Sequence, residues 1–291
     1  MSTNMGVLMD LPKYNTGGDE IEVITKTITY KRSDQFSIYG FGDIHCGIKH
    51  CAEDKARAQV KLMAADPEHN FIVGMGDDAE CITPHDPRWD YGVIADWIPR
   101  NKVDDLPKME EDWVYELERP IAGQFLTKLT GNHEAELRKH CHYDLHGHLC
   151  ERLKVQSGGY MCFLRLIFKR KGSTESHMYT MLATHGNGCA VTKGAKMNRL
   201  QALMGSFDAD MYFHGHVHDI ITDTKAYLTL NDAGRIKQRE KVGAMTGSWF
   251  TTYTQGEGAS YGEVKNYPPS VLGCPRFVIT PDEGRLQVMD S

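Results

Sequence analysis

The sequence predicts a mixed α/β fold, with two β-sheets packed together and helices on the outside. Three observations point there. Short apolar runs alternate with helix-like segments along most of the chain, the C-terminal part is rich in strand-like runs, and five apolar runs end on polar turns, each containing glycine next to an acid, amide or histidine. The chain has 291 residues, 41% of them hydrophobic and 25% charged, which is the make-up of an ordinary globular protein. No long Gly/Ser or Pro-rich linker and no repeat divides it. One domain is therefore expected over residues 21–291, after an N-terminal arm at 1–20 and with an insertion near 81–119.

Residues Ile21 to Tyr30 are rich in β-branched side chains and read as an edge strand, although the alternation slips at Val23-Ile24. Phe36 to Phe41 is a second strand that runs into Gly42-Asp43-Ile44-His45. Residues 51–65, rich in Ala, Lys and Glu, read as a helix ended near Pro67. Phe71 to Met75 is a buried strand leading into Gly76-Asp77. An irregular stretch from Pro84 to Pro107 precedes a helix near 108–119, and Phe125 to Leu129 is a short strand ending at Gly131-Asn132-His133-Glu134. A helix is expected from there to about 154, then strands near 160–168 and 178–184. A helix at 194–205 and a strand at Met211 to Phe213 follow, and runs such as Ile220-Ile221, Val242 to Met245 and Phe277 to Ile279 make the remainder mostly strand.

Composition excludes several classes. No apolar run approaches the roughly 18 residues of a spanning helix, and the N-terminus shows no basic region followed by an apolar stretch. No membrane partner is expected. The eight cysteines follow no disulfide framework and read as reduced thiols, which with the missing leader suggests a cytoplasmic protein. A formal charge of −6 argues against a protein that coats nucleic acid.

Five segments carry the chemistry: Gly42-Asp43-Ile44-His45, Gly76-Asp77, Gly131-Asn132-His133-Glu134, Thr184-His185-Gly186 and Gly215-His216-Val217-His218. Each sets a metal-competent side chain just past a strand, where loops of an α/β sheet converge on ligands. Carboxylate, amide oxygen and imidazole together suit a divalent ion such as Mn²⁺, Fe²⁺ or Zn²⁺. Seven such residues exceed one tetrahedral site, so two ions are the natural count.

These residues resemble the calcineurin-like metallophosphoesterases, whose ordered pattern is Asp-x-His, Gly-Asp, Gly-Asn-His-Glu/Asp, His and Gly-His-x-His. The resemblance covers about residues 36–220, and the closing motif is similar to the phosphodiesterase and nuclease branch. It implies a pair of mixed sheets flanked by helices and a site with two divalent metals, Mn²⁺ first among them and Fe, Zn or Ni as alternatives. Carried over position by position, it implies Asp43, His45 and His218 on one metal, Asn132, His185 and His216 on the other, and Asp77 between them. It further implies attack on phosphorus by a hydroxide bridging the metals, with His133 as general acid or hydrogen-bond donor to the leaving group. In the family's protein phosphatases an aspartate pairs with that histidine, and Glu80 falls in the matching place, so a Glu80–His133 pair is expected.

The arginine of the protein-phosphatase pattern is missing after Gly76-Asp77-Asp78-Ala79-Glu80, which favours a diester, with one charge fewer than a monoester. Nucleic acid or nucleotide is the candidate substrate, in keeping with a further resemblance, through Asp86-Pro87-Arg88-Trp89, to phosphoesterases of bacteriophage genomes. A phosphomonoesterase or protein phosphatase is the alternative, and a metal-binding scaffold without turnover is the alternative of another class. A homo-oligomer is left open.

Other features read more blandly. His142 and His146 would share one face of the expected helix, beside His140, His148, Cys141 and Cys150, but no Cys-x-x-Cys supports an independent zinc site. Lys193, Lys196 and Arg199 fit a solvated helix face, and Trp89, Tyr91 and Trp97 fit either a substrate cap or loop packing. Cys46 is not expected to be a nucleophile, because a metal route makes a thiolate redundant.

Overall fold

A computed structural model describes residues 21–290, except His85, Pro87, Arg88 and Cys189. The expected arm at 1–20 and part of the Asp86-Pro87-Arg88-Trp89 segment lie outside the described residues. Two mixed β-sheets pack face to face with helices on their outer sides, as the sequence leads one to expect.

The five-stranded sheet has the order β11-β10-β2-β3-β4, built from β2 (Phe36–Phe41), β3 (Asn70–Gly74), β4 (Phe125–Lys128), β10 (Arg276–Thr280) and β11 (Arg285–Met289). Strands β2, β3 and β4 run parallel, so the turns that follow them share one end of the sheet. The six-stranded sheet has the order β1-β5-β6-β7-β9-β8. Its members are β1 (Glu22–Tyr30), β5 (Met161–Arg170), β6 (Ser176–Thr184), β7 (Met211–His214), β8 (Ile220–Leu230) and β9 (Ile236–Thr246). Strands β6 and β7 are also parallel and end side by side. As expected, β1 lies at an edge; it pairs parallel to β5, with Ile24, Ile28 and Tyr30 turned inward.

The core between the sheets is made of apolar strand residues from both. Phe213 of β7 stacks on Phe277 of β10 with ring centroids 4.3 Å apart, and both are fully buried. Each such ring contributes about 1.5–3 kcal/mol by leaving water. Helices α1 (Glu53–Ala64), α2 (Leu106–Glu118) and α4 (Leu145–Leu153) cover the five-stranded sheet through Val60, Met63, Val114, Leu117 and Leu149. Helix α5 (Lys193–Ser206) covers the other sheet through Leu200 and Met204. The seven described cysteines form no disulfide. No helix among the described residues is long and apolar enough to cross a membrane.

Two expectations need correction. The helix expected to run to about 154 is two helices, α3 (Asn132–Cys141) and α4, because His142 adopts a left-handed backbone and Asp144 caps the second helix by accepting from the Gly147 N–H. Strands β8 and β9 form a hairpin much longer than their apolar runs. The outer part, with Leu228 and Ile236 about 70% exposed, has no second layer and so no alternating apolar signal.

Candidate metal centre

The parallel strands of both sheets end in one place. Asp43 follows β2, Asp77 follows β3, Asn132 opens α3 just past β4, His185 follows β6, and His216 and His218 follow β7. Strands converge there because the sheets are pressed together by the shared core, so turns distant in sequence meet.

The backbone of these turns is unusual. Asp43, His45, Asp77, His216 and His218 all have φ between 48° and 69°, the left-handed region that costs a non-glycine residue roughly 1–3 kcal/mol. Tight packing holds them there. A Cβ on Gly131 would lie 2.0 Å from Asp77 Oδ1, so only glycine lets the β4 turn approach the β3 turn. Glu134 ties the two turns together by accepting from the N–H groups of Gly131 (2.9 Å), Asp77 (3.1 Å) and Asp78 (2.7 Å). Burial, with the carboxylates of Asp77 and Asp78 nearby, pushes the Glu134 pKa up to about 8 despite those donors. Beneath, Lys128 makes a fully buried ion pair with Asp78 (2.8 Å) and Glu118 (2.6 Å), tying β4 to the β3 turn and α2.

Three groups have candidate ligand atoms within 4.8 Å of one another: Asp43 with His45 and His218, Asp77 with His185 and His216, and His45 with Glu80 and His133, which shares His45 with the first. In the first, His45 Nε2 faces His218 Nε2 at 3.0 Å, and His218 Nε2 is 3.3 Å from Asp43 Oδ1. In the second, His185 Nε2 is 3.2 Å from Asp77 Oδ2 and 3.1 Å from Asn132 Oδ1. The outer atoms are occupied by the protein. Asp43 Oδ2 accepts from the His216 N–H, Asp77 Oδ1 from the His133 N–H, and His185 Nδ1 donates to the Met75 carbonyl. A donating Nδ1–H leaves the Nε2 lone pair pointing inward, toward other acceptors.

The electrostatics agree. Burial would raise the Asp77 carboxyl, yet the His185 and His133 imidazoles hold it well below the usual range. Burial would lower His45 and His185, but the Glu80 carboxylate drives His45 to about 9 and the Asp77 carboxylate drives His185 to about 10. Protons thus occupy a place that calls for positive charge. His216 Nδ1 is buried without a hydrogen-bond partner, and buried Asp43 Oδ1 has only the His218 ring beside it at 3.3 Å. Oxygen and imidazole acceptors that converge in two groups fit divalent cations.

The geometry brings all seven expected ligand residues together, along with His133 and Glu80, but it changes the role of Glu80. Its carboxylate binds His45 Nδ1 at 2.8 Å, not His133; the His133 ring instead donates from Nδ1 to the Glu80 backbone carbonyl at 2.6 Å. The longer side chain carries the carboxylate past His133 to the neighbouring imidazole. Sequence reasoning assigned no part to Glu134 or Lys128; the Gly-x-x-Glu spacing after a strand was the available signal for the former, as in a capping box.

Three other histidines are partnered individually. His148 bonds Glu111 (3.0 Å), His140 pairs with Glu136 (2.8 Å), and His146 bonds Ser157 (2.8 Å), while the break between α3 and α4 separates His142 from His146. Lys196, expected on a solvated face, is buried and paired with Asp219 at 3.2 Å, and Arg199 bonds Asn187. Trp97 stacks on Trp113 at 6.3 Å and donates to Glu53, so it packs the stretch between β3 and α2 onto α1 and α2; Trp89 lines the cleft beside the centre. Burial pushes the Cys46 thiol well above its ordinary pKa, which suits no nucleophile.

No protein-family model matches the chain. The search among curated proteins likewise gives no match.

Proposed function

We propose that this protein is a metal-dependent phosphoesterase of the calcineurin-like type, acting on phosphodiesters. The observation that carries the reading is the meeting, at five strand ends, of two adjacent groups of inward-facing acceptors. Asp43, His45 and His218 would hold one divalent ion, Asn132, His185 and His216 a second, and Asp77 would serve both. Mn²⁺ suits this oxygen and nitrogen set, with Fe, Zn or Ni as alternatives. Such ions, when bound, offset phosphate charge and acidify a water.

The chain's own groups do the rest. Asp43 and Asp77 supply the negative charge that draws the ions, and their outer oxygens are fixed by the His216 and His133 N–H groups. The Glu80 carbonyl holds His133 Nδ1–H, which leaves Nε2 as the ring atom open to a leaving oxygen in the cleft. His133 would deliver a proton there, or a hydrogen bond. Among the described residues lining the cleft, Lys196 is the one lysine or arginine, and Asp219 already holds it. A monoester dianion would find little side-chain help, so the diester is favoured.

The test compares bis-p-nitrophenyl phosphate with p-nitrophenyl phosphate on Mn²⁺-loaded protein, with His133→Asn as control. A diester preference that is lost in the variant supports the reading. A monoester preference overturns the diester assignment, and absence of turnover on both, with two metals bound, overturns the enzyme and favours a scaffold.

A further inference from the structure

The cleft that opens from the metal centre has a volume of about 660 Å³, within the size of small-ligand sites. Its two walls come from separate parts of the chain. Trp89 and Ile94 of the insertion form one, and Phe250, Tyr261, Val264 and Tyr267, after β9, form the other. Tyr261 and Val264 are 58% and 66% exposed, and the Tyr261 ring is approached by Tyr267 at 6.2 Å and by the Lys265 ammonium at 5.7 Å, so the wall is mainly apolar with one lysine at its rim. Phe250 joins this wall to the centre, its ring centroid 5.8 Å from those of both His45 and His218. An ester arm leaving a phosphorus at the centre would therefore meet aromatic surface at once.

Charge narrows the occupant. Outside the centre, the described charged residues lining the cleft are Asp90, Glu110 and Lys196. Lys196 is neutralised by Asp219, and burial pushes the Glu110 carboxyl well up, toward its uncharged form. A polynucleotide is held by several lysines or arginines on successive phosphates, and the described walls offer no such row.

We infer that the substrate of this site is a small phosphodiester with a single phosphate, whose non-leaving ester arm is aromatic or apolar and lies between the Trp89 and Tyr261 walls. This rests on the phosphodiesterase reading and narrows it away from nucleic acid.

Phenyl p-nitrophenyl phosphate and methyl p-nitrophenyl phosphate share a leaving group and differ in the other arm. The Mn²⁺-loaded protein should favour the phenyl ester by about tenfold in kcat/KM, as expected for one ring leaving water. Tyr261→Ala with Trp89→Ala should bring that ratio close to the uncatalysed one, through KM, with metal content unchanged. Activity on the phenyl ester should vary little between about 50 and 300 mM salt, whereas a polynucleotide substrate would show a steep decline. An unchanged ratio in the double variant, or faster salt-sensitive cleavage of single-stranded DNA, overturns the inference and leaves the phosphodiesterase standing. If no diester is turned over, that reading fails instead. Calorimetric binding then decides on the cleft alone: diphenyl phosphate binding more tightly than dimethyl phosphate, and losing that advantage in the double variant, supports it, and equal affinities overturn it.

Discussion

Two regions of this molecule are rich in histidine, and they are put to opposite ends. At the strand-end centre, imidazole and carboxylate groups face one another, with their outer atoms fixed by N–H groups and carbonyls and their inner atoms crowded together at 3.0–3.3 Å. In the α3–α4 segment three of the four imidazoles at 140–148 point at separate partners: His148 at Glu111, His140 at Glu136, His146 at Ser157. His146 Nδ1 is buried without a partner there too, yet among the described residues no metal-capable group of three surrounds it. What fits a cation is thus the convergence of several potential ligand atoms on one another, more than the presence of histidine. The left-handed backbone at Asp43, His45, Asp77, His216 and His218 is the strain that accompanies such close approach.

The widest contrast should come from metal removal. Chelation should lower diester hydrolysis by about a thousandfold or more, restored by Mn²⁺, since the ions supply most of the charge stabilisation. Elemental analysis should find two ions per chain, fewer in His185→Ala, and the same number in His148→Ala; a loss of metal in His148→Ala would erase the distinction between the regions. Next, His133→Asn should cost about 10²–10⁴ in kcat while both ions stay bound. Loss of metal in that variant would make His133 a ligand.

Glu80→Gln tests how the centre is held. Its carboxylate orients His45 as a ligand's outer partner does, so Mn²⁺ affinity by calorimetry should fall about 10–100-fold with the fold intact. An unchanged affinity would return Glu80 to a part concerned with His133 alone.

The smallest effect belongs to the helical region and concerns stability. Burial, with Lys128 and Arg138 nearby, pushes the His146 pKa down to about 3. Below about pH 6.5 the unfolded chain takes up a proton that the folded protein refuses, so stability falls as pH drops toward 3. Between pH 6.5 and 5 that amounts to about 2 kcal/mol. In His146→Leu the urea-unfolding free energy should depend less steeply on pH across that window. An equal slope in the variant would show that His146 does not set it.

Much of the fold was legible before any coordinates. Apolar runs such as Phe36 to Phe41 and Phe71 to Met75 are short, β-branched or aromatic, and end on polar turns, so strand positions and the turns could be read directly, while the family resemblance singled out seven candidate ligands within them. The spacing of Gly215-His216-Val217-His218 and its companions is local information carried in order along the chain. The long β8–β9 hairpin was only partly visible because backbone pairing, unlike core burial, leaves no apolar pattern. The break after Cys141 was hidden because it depends on a left-handed histidine, which no hydrophobic period marks.

Sequence alone thus determined the main strand and helix runs, the two-sheet class and the polar turns at the strand ends, since apolar periodicity and local glycine chemistry mark them. Tertiary structure decided the pairings. It sent the Glu80 carboxylate to His45, buried Lys196 against Asp219, gave Glu134 its three N–H groups and set aromatic walls beside the centre. Side-chain length and approach angle choose among partners that sequence leaves equivalent, and those are settled when the two sheets close on their common core.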